Sequence, residues 1–226
     1  MSDRTSFKLV TDRLENKKPG EKMFLFNVTM QNHGGYTYDG GEFPTVTISN
    51  LQGHYKEAEQ YLSLIKESDK AFEELVRYLK NYDEPTIVVM FGDHQPAVEQ
   101  EFYEELYGKS LSKLSTEELQ QRYKIPFVIW ANYDIESQDD LKTSPNYLSD
   151  LLLDTANVPK NEIENFTSEV RNDVPQINAM GHYDSDGNWV SRDEDTSNAL
   201  DKYEAVEYYM LTRKESKDAK ENKDDK

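Results

Sequence analysis

An aspartate and a histidine stand side by side at Asp93-His94, just past the apolar run Thr86-Ile87-Val88-Val89-Met90-Phe91, which stops at Gly92. A hard carboxylate oxygen next to an imidazole nitrogen suits a divalent metal such as Mn²⁺ or Zn²⁺. Pro96 would stiffen the loop that presents both groups. The competing reading is an Asp-His turn that caps the helix after it. A second histidine, His33, follows Gln31 and Asn32, precedes Gly34-Gly35-Tyr36, and again ends an apolar run, Met23 to Met30. Open α/β sheets place their chemistry beyond the carboxyl ends of their strands, so the two sheet ends could lie side by side. His54 reads as a cap-region histidine. His182, in Met180-Gly181-His182-Tyr183, reads as a hairpin-root histidine and is the spare candidate for a third ligand.

The elements that must position these groups follow from hydrophobic spacing. Ile87 to Phe91 and Met23 to Met30 are rich in apolar and β-branched residues and read as fully buried, parallel strands. Between them, Tyr55 to Lys80 is the strongest helix, with Ala58, Tyr61, Leu62, Ile65, Phe72, Leu75, Val76 and Leu79 along one face. Ser68 and Asp69 interrupt that face, as residues would that satisfy a buried polar neighbour or mark the rim of a sheet. Ser2 to Asn16 forms an opening helix with Phe7, Val10 and Leu14 on one side and Asp3 in its cap. Thr37 to Asn50 reads as a loop with a short strand at Thr45–Ile48.

Further on, Glu99 to Leu106 and Glu117 to Tyr123 are short helices, the second opened by a Ser115-x-x-Glu118 capping sequence. Ile125 to Ala131 is a third strand and Asn146 to Asn157 a helix. Ile177 to Trp189 leads into a hairpin turning at Asp184-Ser185-Asp186-Gly187. Ala199 to Thr212 is the last helix, and the charged residues 214–226 read as a disordered tail after a body at 1–213.

Composition narrows the partners. A net charge of −18 over 226 residues argues against nucleic acid or an anionic membrane surface. A polyanionic substrate would therefore need local positive charge, most simply a metal ion. The absence of cysteine excludes disulfides, thiol catalysis and zinc-thiolate sites. No apolar run approaches the ~20 residues of a membrane span, and the first residues lack the apolar core of a signal peptide, so the chain reads as soluble.

The segment Phe26-Asn27-Val28-Thr29-Met30-Gln31-Asn32-His33-Gly34-Gly35-Tyr36, the long helix, and then Val88-Val89-Met90-Phe91-Gly92-Asp93-His94-Gln95-Pro96 together resemble the C-terminal half of a sulfatase-like ectodomain. The family is that of lipoteichoic acid synthase-type phosphoglycerol transferases, in the alkaline phosphatase/sulfatase superfamily. Lys202 to Tyr209 is similar to the family's closing segment. The resemblance implies an α/β fold: part of a sulfatase-like sandwich with a mostly parallel sheet flanked by helices, then a hairpin and a helix. It implies that Asp93 and His94 are metal ligands, with Mn²⁺ the leading cation and Zn²⁺, Mg²⁺ or Ca²⁺ the others. It makes His33 the catalytic, substrate-contacting histidine, with Asn32 beside it in the substrate site. The implied substrate is a lipid-linked glycerophosphate or related ester, handled outside the cytoplasmic membrane.

The family's threonine nucleophile and acidic ligand lie upstream of this match. Thr5 and Thr11 fall in the opening helix and Thr29 in a strand, so this chain offers no nucleophile. The expected partner is accordingly the missing N-terminal half of the catalytic domain, or a second copy of the chain. Two other readings stand beside this one. One is an autonomous minimal metal phosphoesterase with water as nucleophile. The other is a non-catalytic module that binds glycerophosphate or glycan.

Overall fold

The long helix expected after Tyr55 is the element on which the first part of the molecule is built. The computed structural model describes residues 1–37, 45–195 and 198–224, with side chains to Thr212. They fall into two compact units, Met1–Tyr133 and Asp134–Lys226.

In the first unit, α1 (Asp3–Glu15) starts at Ser2, whose hydroxyl accepts from the Thr5 N–H, so Ser2 is the cap and Asp3 the first helical residue. Phe7 meets Phe72 edge-on at 6.5 Å, and Arg4 donates twice to Glu74 at 2.9 Å, laying α1 on α2 (Lys56–Leu79). The buried side of α2 is only partly apolar. Ala58, Ala71, Leu75 and Leu79 are buried, but so are Glu59, Gln60, Ser63 and Ser68, whereas Ile65 is exposed. Asp69 faces solvent.

A turn held by one amide leads from α2 into β1 (Ile87–Phe91). Asn132 donates to the Leu79, Tyr82 and Glu84 carbonyls and accepts from the Thr86 N–H at 2.8 Å. α3 (Gln100–Tyr107) and α4 (Thr116–Gln120) follow, the latter opened by the expected Ser115/Glu118 capping box. β2 (Phe127–Ala131) pairs antiparallel with β1, from Ile87 opposite Ala131 to Phe91 opposite Phe127.

The mixed helix-and-strand class stands, while the strands correct the expected detail. Every strand pair among the described residues is antiparallel. β1 is half-buried rather than fully buried, because it has one neighbouring strand. Met23 to Met30 forms no strand. Phe24 and Phe26 are 81% and 72% exposed, and no backbone N–H from Lys22 to Met30 has a partner among the described residues. The segment has strand composition but no ladder to join. Thr45–Ile48 is likewise no strand, and residues 38–44 of the expected loop lie outside those described.

The second unit packs α5 (Leu148–Thr155), α6 (Glu162–Asp173) and α7 (Asn198–Asp224) with a small sheet. The sheet runs β3 (Gln176–Asn178), β4 (Gly181–Tyr183) and β5 (Trp189–Ser191). The hairpin turn is as expected: Asp184 Oδ1 accepts from the Asp186 and Asn188 N–H groups. Gly181 has φ +154°, and a Cβ there would fall 2.2 Å from the Val190 carbonyl oxygen, so only glycine fits. The tail expected to be disordered is helical in backbone through Asp224. Its Lys, Glu and Ala content favours helix even where no apolar face directs it.

Tyr147 is fully buried in this unit, and its hydroxyl has no hydrogen-bond partner among the described residues. Burial, then the neighbouring Tyr203 and Glu207, push its pKa well above the ordinary tyrosine value. A phenol whose pKa is raised on folding stabilises the fold fully below about pH 10, and that contribution is lost as pH climbs from there towards the folded value. Tyr147→Phe is expected to leave stability at pH 7 near that of the wild type and to reduce the loss between pH 9.5 and 11, followed by circular dichroism melts across pH.

Candidate active site

Just past β1, Asp93 and His94 form a small two-donor unit. Asp93 Oδ1 accepts the His94 N–H at 2.9 Å, which fixes the carboxylate over its neighbour. His94 Nδ1 lies 2.8 Å from the Gln95 carbonyl. A carbonyl can only accept, so this contact places a proton on Nδ1 and makes Nε2 the nitrogen that a metal would meet in the neutral ring. That Nε2 lies 3.5 Å from Asp93 Oδ2. Two ligands on one cation at ~2.1 Å stand about 3.0–3.4 Å apart, so the pair fits a shared metal as two of its donors. Both side chains are open to solvent, at 84% for Asp93 and 71% for His94. Among the described residues no group of three or more His, Cys, Asp or Glu side chains converges to complete such a site.

The loop that carries this pair is held from several directions. Gln95 Nε2 donates to the Lys124 carbonyl, Gly92 N–H donates to Pro126 O at 3.2 Å, and the Tyr103 hydroxyl donates to Pro96 O at 2.6 Å. Arg122 stacks over the Tyr103 ring at 4.7 Å. Glu99 then reaches back to the start of α2, where its carboxylate accepts the Glu57 and Ala58 N–H groups at 2.7 and 3.0 Å. These are unpaired donors of a helix N-terminus, where negative charge is favoured.

His33 sits in a turn, its N–H donating to Met30 O at 3.3 Å and its side chain exposed. Asn32 faces inward, its Nδ2 donating to Ser68 Oγ at 2.8 Å. Tyr36 is buried, donates to the Asn32 carbonyl at 2.6 Å and packs edge-on against Tyr61. Its pKa is raised by burial, then by Tyr61, Tyr103 and the Asp93 carboxylate. Tyr36, tied to the His33 loop through the Asn32 carbonyl, is thus the residue on which the Asp93 charge bears. Tyr36, Ser68 and Glu99 are parts of this arrangement absent from the sequence-based site. The signal for Ser68 was its polar break in the apolar face of α2.

His182 is buried in β4 opposite Ile177 and Val190, in the second unit, as a hairpin-root histidine should be. A cavity of about 640 Å³ in that unit is lined by Lys142, Thr143, Asp154 and Arg171 among others, and includes none of the expected site residues.

The sulfatase family model matches residues 1–158. This chain belongs to the sulfatase family. The match takes in the His33 loop, α2 and the Asp93-His94 loop, and so runs through Asn32, His33, Asp93 and His94 of this sulfatase-family chain. A Rhizobium meliloti (strain 1021) protein assigned to cyclic beta-1,2-glucan modification is 25% identical over 206 residues, covering 88% of this chain and 27% of the relative. The capsular polysaccharide biosynthesis protein RkpI of the same organism is 30% identical over 96 residues, 42% of this chain and 16% of that protein. Among solved structures, Streptococcus pyogenes phosphoglycerol transferase GacH in complex with sn-glycerol-1-phosphate superposes with a TM-score of 0.60 at 19% identity. That match covers 88% of this chain and 45% of GacH, and it establishes a sulfatase-like fold. The chain thus spans about a quarter or less of these curated relatives and under half of the structural one. No helix among the described residues is long and apolar enough to cross a membrane.

Proposed function

We propose that this chain supplies the Asp-His half of a divalent-metal site, and the substrate-facing His33, to a sulfatase-family enzyme that transfers or hydrolyses a glycerophosphate phosphodiester. The observation that carries the reading is the pairing of Asp93 Oδ2 with His94 Nε2 at 3.5 Å, beyond the end of β1. Asp93 and His94 hold the cation, Mn²⁺ being the leading candidate. A divalent cation there would neutralise phosphoryl oxygens and lower the pKa of an attacking hydroxyl. His33, exposed and two loops away, donates a hydrogen bond to a phosphoryl oxygen as charge builds on it. The nucleophile and the remaining ligands come from polypeptide outside this chain. The bare apolar stretch Phe24 to Met30 supports that: its unpaired backbone would be covered by a strand from the same upstream polypeptide. In the complete enzyme the site works outside the cytoplasmic membrane.

Isothermal titration of this chain with Mn²⁺, repeated on Asp93→Ala, tests the division of the site. Binding weaker than about millimolar is expected, since two ligands fall short of the usual three or four. Micromolar binding lost in Asp93→Ala would overturn the division and favour a self-sufficient phosphoesterase. In a polypeptide carrying the complete site, His33→Ala is expected to spare the metal while lowering turnover about 10²–10³-fold, the ordinary cost of one transition-state donor.

A further inference from the structure

Ser68 lies at the middle of α2, buried, and is surrounded by three partners from other parts of the first unit. Its Oγ donates to Asp3 Oδ2 at 2.6 Å and accepts from Gln31 Nε2 at 3.0 Å and Asn32 Nδ2 at 2.8 Å. A hydroxyl has one proton and two lone pairs, so this one is saturated. Asp3 is itself buried, and a carboxylate can only accept. It therefore claims the Ser68 proton and turns both lone pairs towards the loop. Gln31 is fixed twice more, donating to Leu64 O at 3.1 Å and accepting the Asp3 N–H at 3.1 Å. Gln31 and Asn32 are the two residues that lead into His33.

Docking of α1 on α2 does not account for this arrangement. The Phe7–Phe72 contact and the Arg4–Glu74 pair already hold the two helices together. A buried carboxylate is costly, and apolar side chains of similar size would pack the same interface at less cost. What the Asp3–Ser68 pair adds is hydrogen-bond direction.

We infer that Asp3 and Ser68 are positioning residues that set the orientation of the His33 loop, and so of the imidazole, towards its phosphate-bearing ligand. The inference rests on the reading of His33 as the substrate-facing histidine.

The test uses the full ¹⁵N-labelled chain, in which four histidines make the His33 ring assignable by substitution. Two readouts are taken: the shift of the His33 ring resonances on titration with sn-glycerol-1-phosphate, and amide hydrogen exchange at Asn32 to Gly35. Ser68→Ala is expected to weaken the His33 response at least about fivefold and to speed exchange in the loop by a similar factor, as the loss of these bonds would. Asp3→Asn keeps an acceptor of the same shape and is expected to restore wild-type values in both. Should Ser68→Ala fail to fold, Asp3→Ala asks the same question by freeing the serine proton. A folded Ser68→Ala with unchanged loop exchange and ring response overturns the inference, as does exchange that rises uniformly along α2. A wild-type ring that ignores sn-glycerol-1-phosphate would count against the ligand reading alone, because the exchange arm still decides the positioning role.

Discussion

Asp93→Ala, placed in a polypeptide that carries the complete site, is expected to lower phosphodiester turnover by about 10³-fold or more at any practical Mn²⁺ concentration. The reasoning starts from the donor pair. On the proposed reading Asp93 offers Oδ2 as a ligand, while its Oδ1 accepts the His94 N–H at 2.9 Å. Its loss removes one negative ligand and loosens the other. A catalytic cation supplies several kcal/mol of charge stabilisation, and each 1.36 kcal/mol is a factor of ten. His94→Ala should match it, since the loss of either donor leaves one ligand from this chain. Asp93→Asn retains a neutral oxygen and should fall between. Steady-state rates over a Mn²⁺ titration decide the matter. Wild-type activity in Asp93→Ala would remove the metal assignment altogether.

The second large effect lies far from that chemistry in sequence. Asp150→Ala is expected to destabilise the second unit by about 2–3 kcal/mol, because it removes the buried carboxylate shared by two partly buried cations and a serine hydroxyl. The Asp150 side chain is 1% exposed. Its Oδ1 takes Lys160 Nζ at 2.5 Å and the Ser168 hydroxyl, and its Oδ2 lies 2.9 Å from Arg171 Nε, close enough to attract though off the line of a hydrogen bond. Asp154 also meets both cations but is half open to water, so it compensates them only in part once Asp150 is gone. Burial alone would depress the Lys160 pKa, yet the bonds to Asp150 and Asp154 outweigh it and hold the ammonium charged. Urea melts followed by tryptophan fluorescence, with Trp189 reporting on this unit, provide the measurement. A midpoint unchanged from the wild type would show the cluster to be dispensable.

The helices were legible because their signals are local. Apolar spacing set α1 and α2 to within a residue or two, and Ser115-x-x-Glu118 marked α4. α6 has an equivalent signature in Asn161-x-x-Glu164, but sparse apolar residues hid it from a reading weighted to periodicity. Strands depend on partners distant in sequence, and there the reading holds only in part: Ile125 to Ala131 contains β2 and the hairpin turns where expected. Met23 to Met30 has the composition of a buried strand and lies exposed. Ile87 to Phe91 is a strand, but paired antiparallel with one neighbour. The positions of Asp93, His94 and His33 in loops after apolar runs were readable. What fixes those loops was not, because a buried Ser68 or Glu99 declares itself only through the N–H and carboxylate groups it meets in three dimensions.

That both loops hang from α2 has a thermodynamic consequence. Glu99 ties the Asp93 loop to the first turn of the helix, and Ser68 ties the His33 loop to its middle. Unwinding of that single helix from its first turn through Ser68 would release both, so their order is linked through one element. A cation that quiets the first loop lowers the entropy left to be lost when a phosphate ester orders the second. If the proposed function holds, metal and substrate are expected to bind with positive cooperativity, each raising the other's affinity by the same factor.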